Sequence, residues 1–575
     1  QQLQVTARLD GNAGSPGDAV ARNVEVKPNG EELHVVINER LEGSAIKDVV
    51  LPPNALPDAS KIFVKFYPGA LSQVVEGLDS MLRMPGGCFE QTSSATYPNV
   101  LVMDYLKTSK KLTPEIQAKA EGFISLGYQR LVTFEVQGGG FSWFGEAPAN
   151  KILTSYGLQE FYDMSKVSEV DPRLIERTQR WLASQQKPDG SWAPDTNFIN
   201  EGATNRYNTD VTRITAYIGW SLATTGYQGP EVDKARQYVA SHMTGKEDAY
   251  TLAVMANFAV DSGKDKAFTD RMIETLAAKA TDDGKMAFWK QDTETPSTAR
   301  EGSADLETTA LAIQALLKSG QKGALAKKGL DYLTSNKDAF GNWQTTQATI
   351  LALKAFILSF TKGANVDTSG TIEITVDGQT VDRLEITREN NDLLHLVDLK
   401  AYTHGGTHKV GLNFNGKGSM QYQLIGRYYV PWQRMAGAKE ALSIELAYDR
   451  TTLAQDEIAT ATAKIRNNTP ATAKLVMVDL GIPPGFEPDG AAFAKMVDDT
   501  RGKNGGKLQK YTITAKQIIL YFDALTPNQT VEFSYPLKAK FPLRAKTFAS
   551  RVYEYYNPTV EDFVVPAELT VSAKK

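Results

Sequence analysis

The chain has 575 residues and one cysteine, Cys88. A single thiol cannot form an internal disulfide, and a secreted animal protein of this length normally carries several. The settings this leaves are a bacterial compartment or a cytosol. Histidine is almost as scarce: His34, His242, His395, His404 and His408 are all there are. Gly405-Gly406 separates the last two, and with no cysteine nearby they suit a polar loop better than a metal site. No metal or other cofactor is expected. Long hydrophobic runs are absent too; ILALKAFIL is short and interrupted by Lys354, so no segment reads as membrane-spanning. Residues 1–20 lack the basic start and apolar centre of a signal peptide, which reads as a processed or excised piece. There is no basic excess either. A net charge of -4 argues against a nucleic-acid surface.

The remainder is ordinary for globular protein, with 42% hydrophobic and 23% charged residues. Three textures follow one another. Up to about residue 70, short valine- and isoleucine-rich runs such as LHVVINER and KIFVKFYP read as strands. From there to Phe360 the spacing is helical. ALSQVVEGLDSMLRM places Leu71, Val74, Val75, Leu78 and Leu82 on one face, and Pro85 stops it. Between the helices a Gly-then-aromatic signature recurs: GGGFSWFG at 138–145, PDGSW at 188–192, DDGKMAFW at 282–289 and FGNWQTTQ at 340–347. This predicts paired helices around a centre, an α/α toroid, with the aromatic residues packing loops against helix ends. After Gly363 strands return, first around the Asp377-Gly378 hairpin signal and then as a β-sandwich to the end. The fold class expected is multidomain α and β: a toroid inserted into a β-domain, followed by a β-sandwich.

The cysteine lies in MPGGCFEQ, residues 84–91. A lone cysteine is often a small buried hydrophobe. Here, however, Gln91 stands at i+3. In a tight turn the Cys88 sulfur reaches the Gln91 carboxamide carbon, and attack with loss of ammonia gives an internal thioester. Gly86 and Gly87 allow the unusual dihedrals such a ring needs. QTSSATYPNVLVMDYL reads as helical in spite of Pro98. Cys88 at that helix's N-terminus would have a lowered thiol pKa, and the same partial charge would stabilise an oxyanion. Glu90 either assists proton transfer or caps the helix.

PGGCFEQ resembles the thioester signature Pro-x-Gly-Cys-x-Glu-Gln of the α2-macroglobulin and complement family. The family often has Gly where Phe89 stands, and Phe89 could help cover the bond. Residues 44–106 look like the family's run into its thioester domain, DVTRITAYIGWSL like a helix late in it, and SRVYEYYNP like a strand of the terminal domain. The resemblance implies a tail of a macroglobulin-like domain at 1–20 and a CUB-like domain in two halves, 21–69 and 363–434. It implies the thioester domain at 70–362 and a receptor-binding-type macroglobulin-like domain at 435–575. The family's N-terminal half, with its bait region, is missing, so the chain alone is not expected to trap a protease.

The implied mechanism is single-use: bait cleavage exposes the thioester, a lysine amine of the protease attacks the acyl carbon of Gln91, and Cys88 leaves as a thiol. The partners implied are proteases, covalently bound, in the periplasm of a Gram-negative bacterium. Membrane contact would come only through an N-terminal lipid anchor absent here, and the role is defence against foreign proteases. Some complement relatives place a histidine in the thioester domain to serve hydroxyl acceptors. No histidine lies between Gln91 and His242, and NFINEGATNRYNTD offers Asn197, Asn200, Asn205 and Asn208, which implies direct attack by amines. In the family aromatic or methionine side chains shield the bond. Tyr553, Tyr555 and Tyr556 are the candidates, with strand alternation putting the first two on one face. Three rival readings fit the residues less well. A cysteine hydrolase needs a histidine base, and only His242 is in the toroid. A terpene cyclase or prenyltransferase needs acidic or zinc motifs inside the toroid, whereas Asp498-Asp499 lies beyond it. A thioester adhesin or opsonin shares the chemistry but usually not this long toroid.

Overall fold

A computed structural model describes residues 2–8, 17–23, 28–69, 72, 88–108, 114–195, 209–297, 299–362, 368–391, 393–402, 405–432, 440–503, 505–555 and 557–574. The predicted helix over 71–82 lies outside these residues, apart from Ser72.

Gln2–Arg8 and Gly17–Asn23 pair as an antiparallel hairpin. The next strands join partners more than 300 residues away. One four-stranded sheet runs His395–Asp398, Lys61–Tyr67, Met420–Val430, Glu31–Leu41; the other runs Ser44–Leu51, Gly406–Lys417, Ser369–Val376, Gln379–Ile386. Each sheet therefore mixes strands from before and after the helical segment, which makes that segment an insertion. The sequence explains the pairing: Ile372, Ile374 and Val376 alternate inward and pack with Val49, Val64, Phe66 and Leu424. Asp377 and Gly378 both have positive φ at the hairpin turn, as the Asp-Gly signal predicts.

The insertion is a closed ring. Helices Phe89–Thr108, Lys151–Ser165, Val211–Thr224, Ala249–Ser262, Glu301–Ser319 and Thr346–Thr361 touch in that order, and the last returns to the first. Each packs on both flanks, so it is apolar nearly all round; Ala249 to Ala259 are buried without a break. The outer helices are one-sided. Pro172–Ser184 buries a stripe of Leu174, Thr178 and Leu182 and turns charge outward.

The recurring aromatic residues fasten outer helices to inner ones. The indole N–H groups of Trp192, Trp289 and Trp343 donate to the carbonyls of Leu182, Leu276 and Leu333, at 2.7, 2.7 and 2.6 Å. These carbonyls lie in the last turns of outer helices, where each also accepts a backbone N–H three residues on, from Gln185, Lys279 and Asn336, and the indole adds a second donor. The backbone N–H of each tryptophan donates to a threonine hydroxyl of an inner helix: Thr215, Thr309 and Thr349. Phe141 N–H bonds Thr154 in the same way, at 2.8 Å, without the indole. The ring loops are thus built on one plan, and their aromatic residues are structural.

The C-terminal part is a sandwich around Ile444, Ile465, Val478, Leu520 and Tyr535. Its sheet of Leu508–Ile513, Gln517–Leu525, Ala473–Gly481, Ser550–Glu554 and Asn557–Val564 supplies the residues that meet the ring. Lys474 Nζ lies 3.1 Å from Glu294. The two-sheet β-domain grips the ring elsewhere, through Arg40 to Asp331 at 2.8 Å and Asn38 Nδ2 to the Lys337 carbonyl at 2.7 Å.

Replacing Trp289 with phenylalanine keeps most of the ring volume but removes the indole bond to the Leu276 carbonyl, which keeps its Lys279 N–H. The expected loss is about 0.5–1.5 kcal/mol of stability, read from denaturant midpoints.

Candidate functional site

Cys88 immediately precedes helix Phe89–Thr108 and is 5% exposed. Its carbonyl accepts from Thr92 N–H at 2.9 Å, closing the first turn. Its own N–H donates to Oε1 of Gln91 at 3.0 Å. The Gln91 side chain is therefore folded back over the turn onto the cysteine backbone. Any nucleophile adding to this carboxamide or acyl carbon would push charge onto the oxygen already held by the Cys88 N–H, a donor aimed where the charge develops. The helix runs through Pro98, as expected.

Phe89 fixes the position of this turn. Its N–H donates to the Trp143 carbonyl at 2.8 Å. Its fully buried ring meets Phe134, Phe141 and Phe161 at centroid distances of 6.1, 5.2 and 6.5 Å. It also lies over Gly157, where a Cβ would come within 2.5 Å of the ring. The expectation that Phe89 helps to cover the bond is thus corrected: the ring points into the core and anchors the turn from below.

The expected lowering of the thiol pKa is also overturned. Cys88 does sit at a helix N-terminus, but burial pushes its thiol up to about 12, and the nearby Glu90 carboxylate adds to the rise. The backbone bonds around Gln91 and Glu90 and the Lys510 ammonium oppose this without offsetting it. Desolvation outweighs the helix end because the turn is closed off from water. A neutral buried thiol is no ready-made hydrolase nucleophile, and no described histidine stands beside it as a base. His242 ends helix Glu231–His242, stacked on Tyr238 at 3.9 Å and bonded to that residue's carbonyl. His34, His395 and His408 belong to the two-sheet domain. His404, together with Asn197, Asn200, Asn205 and Asn208, lies outside the described residues.

Carboxyl groups cluster behind the turn. Glu90, nearly buried, accepts from Ser94 Oγ at 3.2 Å; as the second residue of the helix it is placed for either role the sequence left open. Burial pushes Glu160 up to about 8. Ser93 and Lys354 pull it the other way, yet neither carboxyl oxygen has a partner in hydrogen-bond geometry. Burial likewise pushes Glu307 up to about 7. Ser297 Oγ lies 2.7 and 2.8 Å from its two oxygens. Asp163 is half-buried, and the Lys354 and Lys166 ammonium groups and the Tyr97 hydroxyl outweigh that burial and hold its carboxyl below the usual range.

The C-terminal sandwich closes the site from above. Tyr553 and Tyr555 line one small cavity with Glu90, Ser297, Glu307 and Gln347, so the alternation argument places both on the site side. Burial holds the Tyr555 phenol well above its ordinary range, with Glu90 and Cys88 the charged or titratable neighbours that add to it. The Tyr555 N–H is tied to the Leu475 carbonyl at 3.1 Å. Arg551 lies over the Tyr553 ring at 4.7 Å. Tyr556 lies outside the described residues. Sequence reasoning missed the rest of this row. Lys510 pairs with Tyr521, Tyr521 with Met477, and Met477 with Tyr553 across four strands. No motif announces them, because each comes from a different strand. Glu307 was missed as well; its one signal is a carboxylate within the apolar run ETTALAIQALL.

The chain matches the A-macroglobulin TED domain over residues 64–358 and the A-macroglobulin receptor binding domain over residues 471–565. Among solved structures it is similar to native alpha-2-macroglobulin from Escherichia coli, spanning domain MG7 to the C-terminus. The TM-score there is 0.71 at 14% identity, over 100% of this chain and 88% of that one. It is also similar to Salmonella alpha-2-macroglobulin reacted with methylamine (TM-score 0.70, 15% identity, 100% of this chain and 36% of that one). A third likeness is to the native conformation of the E. coli protein seen by cryo-EM (0.70, 14%, 99% and 35%). At these identities the likeness is one of fold, and the chain spans about a third of the two longer structures. Because the TED match alone covers just over half of its residues, the chain belongs to the A-macroglobulin family.

Proposed function

We propose that this chain carries the covalent trap of a bacterial protease inhibitor. Cys88 and Gln91 form an internal thioester, and a lysine amine of a captured protease opens it. The observation that carries this reading is the Gln91 carboxamide folded back onto Cys88 in a buried turn. Formation joins Sγ to the carboxamide carbon and expels ammonia; opening transfers the acyl group to an amine and returns the thiol. Each molecule does this once, so the protein is an inhibitor and not a turnover enzyme. A buried sulfur whose thiol resists ionisation is a costly anion to release, so protonation has to accompany its departure.

The domain order proposed is a macroglobulin-like tail, a CUB-like domain split by the thioester domain, and a receptor-binding-type domain. The protein's setting in this reading is the Gram-negative periplasm, where it would act in defence against foreign proteases. Any membrane contact would come through a lipid anchor N-terminal to these residues. We assign Tyr555 as the main cover, because its buried phenol is the one closest in electrostatic coupling to both Cys88 and Glu90. Tyr553 is braced by Arg551 and supports it.

Intact mass and thiol titration test the bond directly. The expected mass is one ammonia below that of the sequence, with no reactive thiol; methylamine should then add once and release one thiol. A full sequence mass with a free thiol from the start and no methylamine uptake would sink the reading. Cys88→Ala should show the full mass of its own sequence and take up no amine.

Opening of the cover gives a second test. Tyr555→Gly should shorten the half-life of the thioester in buffer severalfold, measured as spontaneous thiol appearance, because water gains access to the acyl carbon. Tyr555→Phe, which keeps the ring, should stay close to the parent. Equal half-lives for all three would remove Tyr555 from the role.

A further inference from the structure

Two small cavities, with mixed apolar and polar walls, meet at Glu90 of the thioester turn. One lies inside the helix ring and is bordered by Glu90, Asn150, Gln159, Ser297, Glu307 and Gln347 among others. The second lies between the ring and the C-terminal sandwich, and Glu90, Ser297, Glu307 and Gln347 border it too, facing Tyr553 and Tyr555. Each has a volume of about 100 Å³, whereas one water needs roughly 10–15 Å³ on a comparable measure. The amide nitrogens of Asn150 and Gln159 are buried on the wall of the first cavity without a protein partner. Buried donors of this kind are normally satisfied by ordered water, which marks the chamber as hydrated and able to conduct protons.

Glu90 and Glu307 are the carboxylates common to both cavities. Glu90 belongs to the turn itself and accepts from Ser94. Glu307 is 1% exposed and comes from the ring helix Glu301–Ser319, outside the turn. Its carboxyl accepts from Ser297, and Ser297 is 2.8 Å from Thr295 Oγ1. A buried carboxylate held only by hydroxyls is costly as a purely structural element.

We propose that Glu307 accepts the proton of the amine that opens the thioester, with Ser297 positioning it. This rests on the thioester reading above. The amine enters neutral, and its lone pair bonds to the acyl carbon of Gln91. The extra proton on nitrogen passes through the Ser297 hydroxyl or cavity water to Glu307. As the tetrahedral intermediate collapses, the carbon–sulfur bond breaks, and the sulfur takes up a proton that Glu307 returns. An amide and a thiol result, and Glu307 is a carboxylate again. The arrangement gives an amine acceptor a proton path where the sequence offers no histidine.

The pH dependence follows from the surroundings. Burial and then the like charge of Glu90 bring Glu307 to about 7, against the hydroxyls of Ser297, Thr295 and Thr345. Tyr217, from the ring helix Val211–Thr224, and Tyr553 and Tyr555, from the sandwich, are all held above their ordinary range and stay neutral near pH 7. A base works only when ionised, so the contribution of Glu307 is present above about pH 7 and lost below it.

The experiment compares methylamine-driven thiol release in the parent chain and in Glu307→Gln, between about pH 5.5 and 8.5, after intact mass has shown the thioester in each. The ratio of rates cancels the ionisation of methylamine itself. It should rise through pH 7 to a plateau of about a hundredfold, the lower end for general base catalysis, with Glu307→Asp recovering part of the rate. A ratio that is flat with pH, or within about twofold of unity at the plateau, overturns the proposal while leaving the thioester intact. A parent chain at full sequence mass overturns the thioester reading and this one with it. If Glu307→Gln does not form the bond, Ser297→Ala decides. Losing the hydroxyl that stabilises the carboxylate should move the midpoint of the parent's pH profile upward, and an unmoved midpoint overturns the proposal.

Discussion

The contact between the Phe89 ring and the bare backbone of Gly157 decides where the reactive turn can lie. Phe89 adjoins Cys88, so driving its ring into a socket of Phe134, Phe141 and Phe161 leaves the cysteine no freedom to swing outward. A side chain at residue 157 would fill the space the ring needs. The socket exists only because the helix ring closes, bringing Lys151–Ser165 beside Phe89–Thr108. Ring closure in turn is held by the repeated tryptophan fastenings, each tying the end of an outer helix, through its carbonyl, to a threonine of an inner one. Turn, socket and ring thus form one mechanical unit.

Two electrostatic tendencies compete at the turn, and magnitude settles the outcome. A helix N-terminus favours a thiolate, but the effect is modest and is felt most by groups that retain some solvent. Full burial disfavours the charged form by far more, and Glu90 adds a like charge. The site therefore holds its sulfur neutral while keeping the carboxamide oxygen on a backbone donor. That combination fits the proposed thioester, a bond made once and stored, better than a nucleophile used at every turnover.

The proposed cover comes from a separate part of the chain. Tyr553 stands on the strand Ser550–Glu554 of the C-terminal sandwich and Tyr555 just past its end, more than 400 residues beyond Cys88, with Lys474 and Glu294 pairing sandwich and ring. The ring itself is inserted between strands of one β-domain, whose two sheets interleave residues from both sides of the insertion. Moving the sandwich away would uncover the turn without disturbing the ring, because the socket below belongs wholly to the ring.

The sequence by itself determined the parts governed by local chemistry. The i, i+3 spacing of Cys88 and Gln91 brings the Gln91 side chain onto the Cys88 backbone within one helical turn, the alternation of Ile372 and Ile374 makes a strand, and the Gly-then-aromatic repeat makes ring loops. Strand period predicts Tyr553 and Tyr555 on one face, and both line the same cavity, although Tyr555 lies just past the strand's end. Tertiary structure alone decided the rest. Whether a helix N-terminus lowers or burial raises the Cys88 thiol depends on what lies above the turn, and that comes from another domain. Phe89 looks like a cover in a seven-residue motif and becomes an anchor once Gly157 is beneath it. Glu307 is one carboxylate in an apolar helix until folding sets it beside Ser297 and Glu90. Spacing fixes contacts within a turn, whereas solvent exclusion and long-range neighbours exist only after the chain has closed on itself.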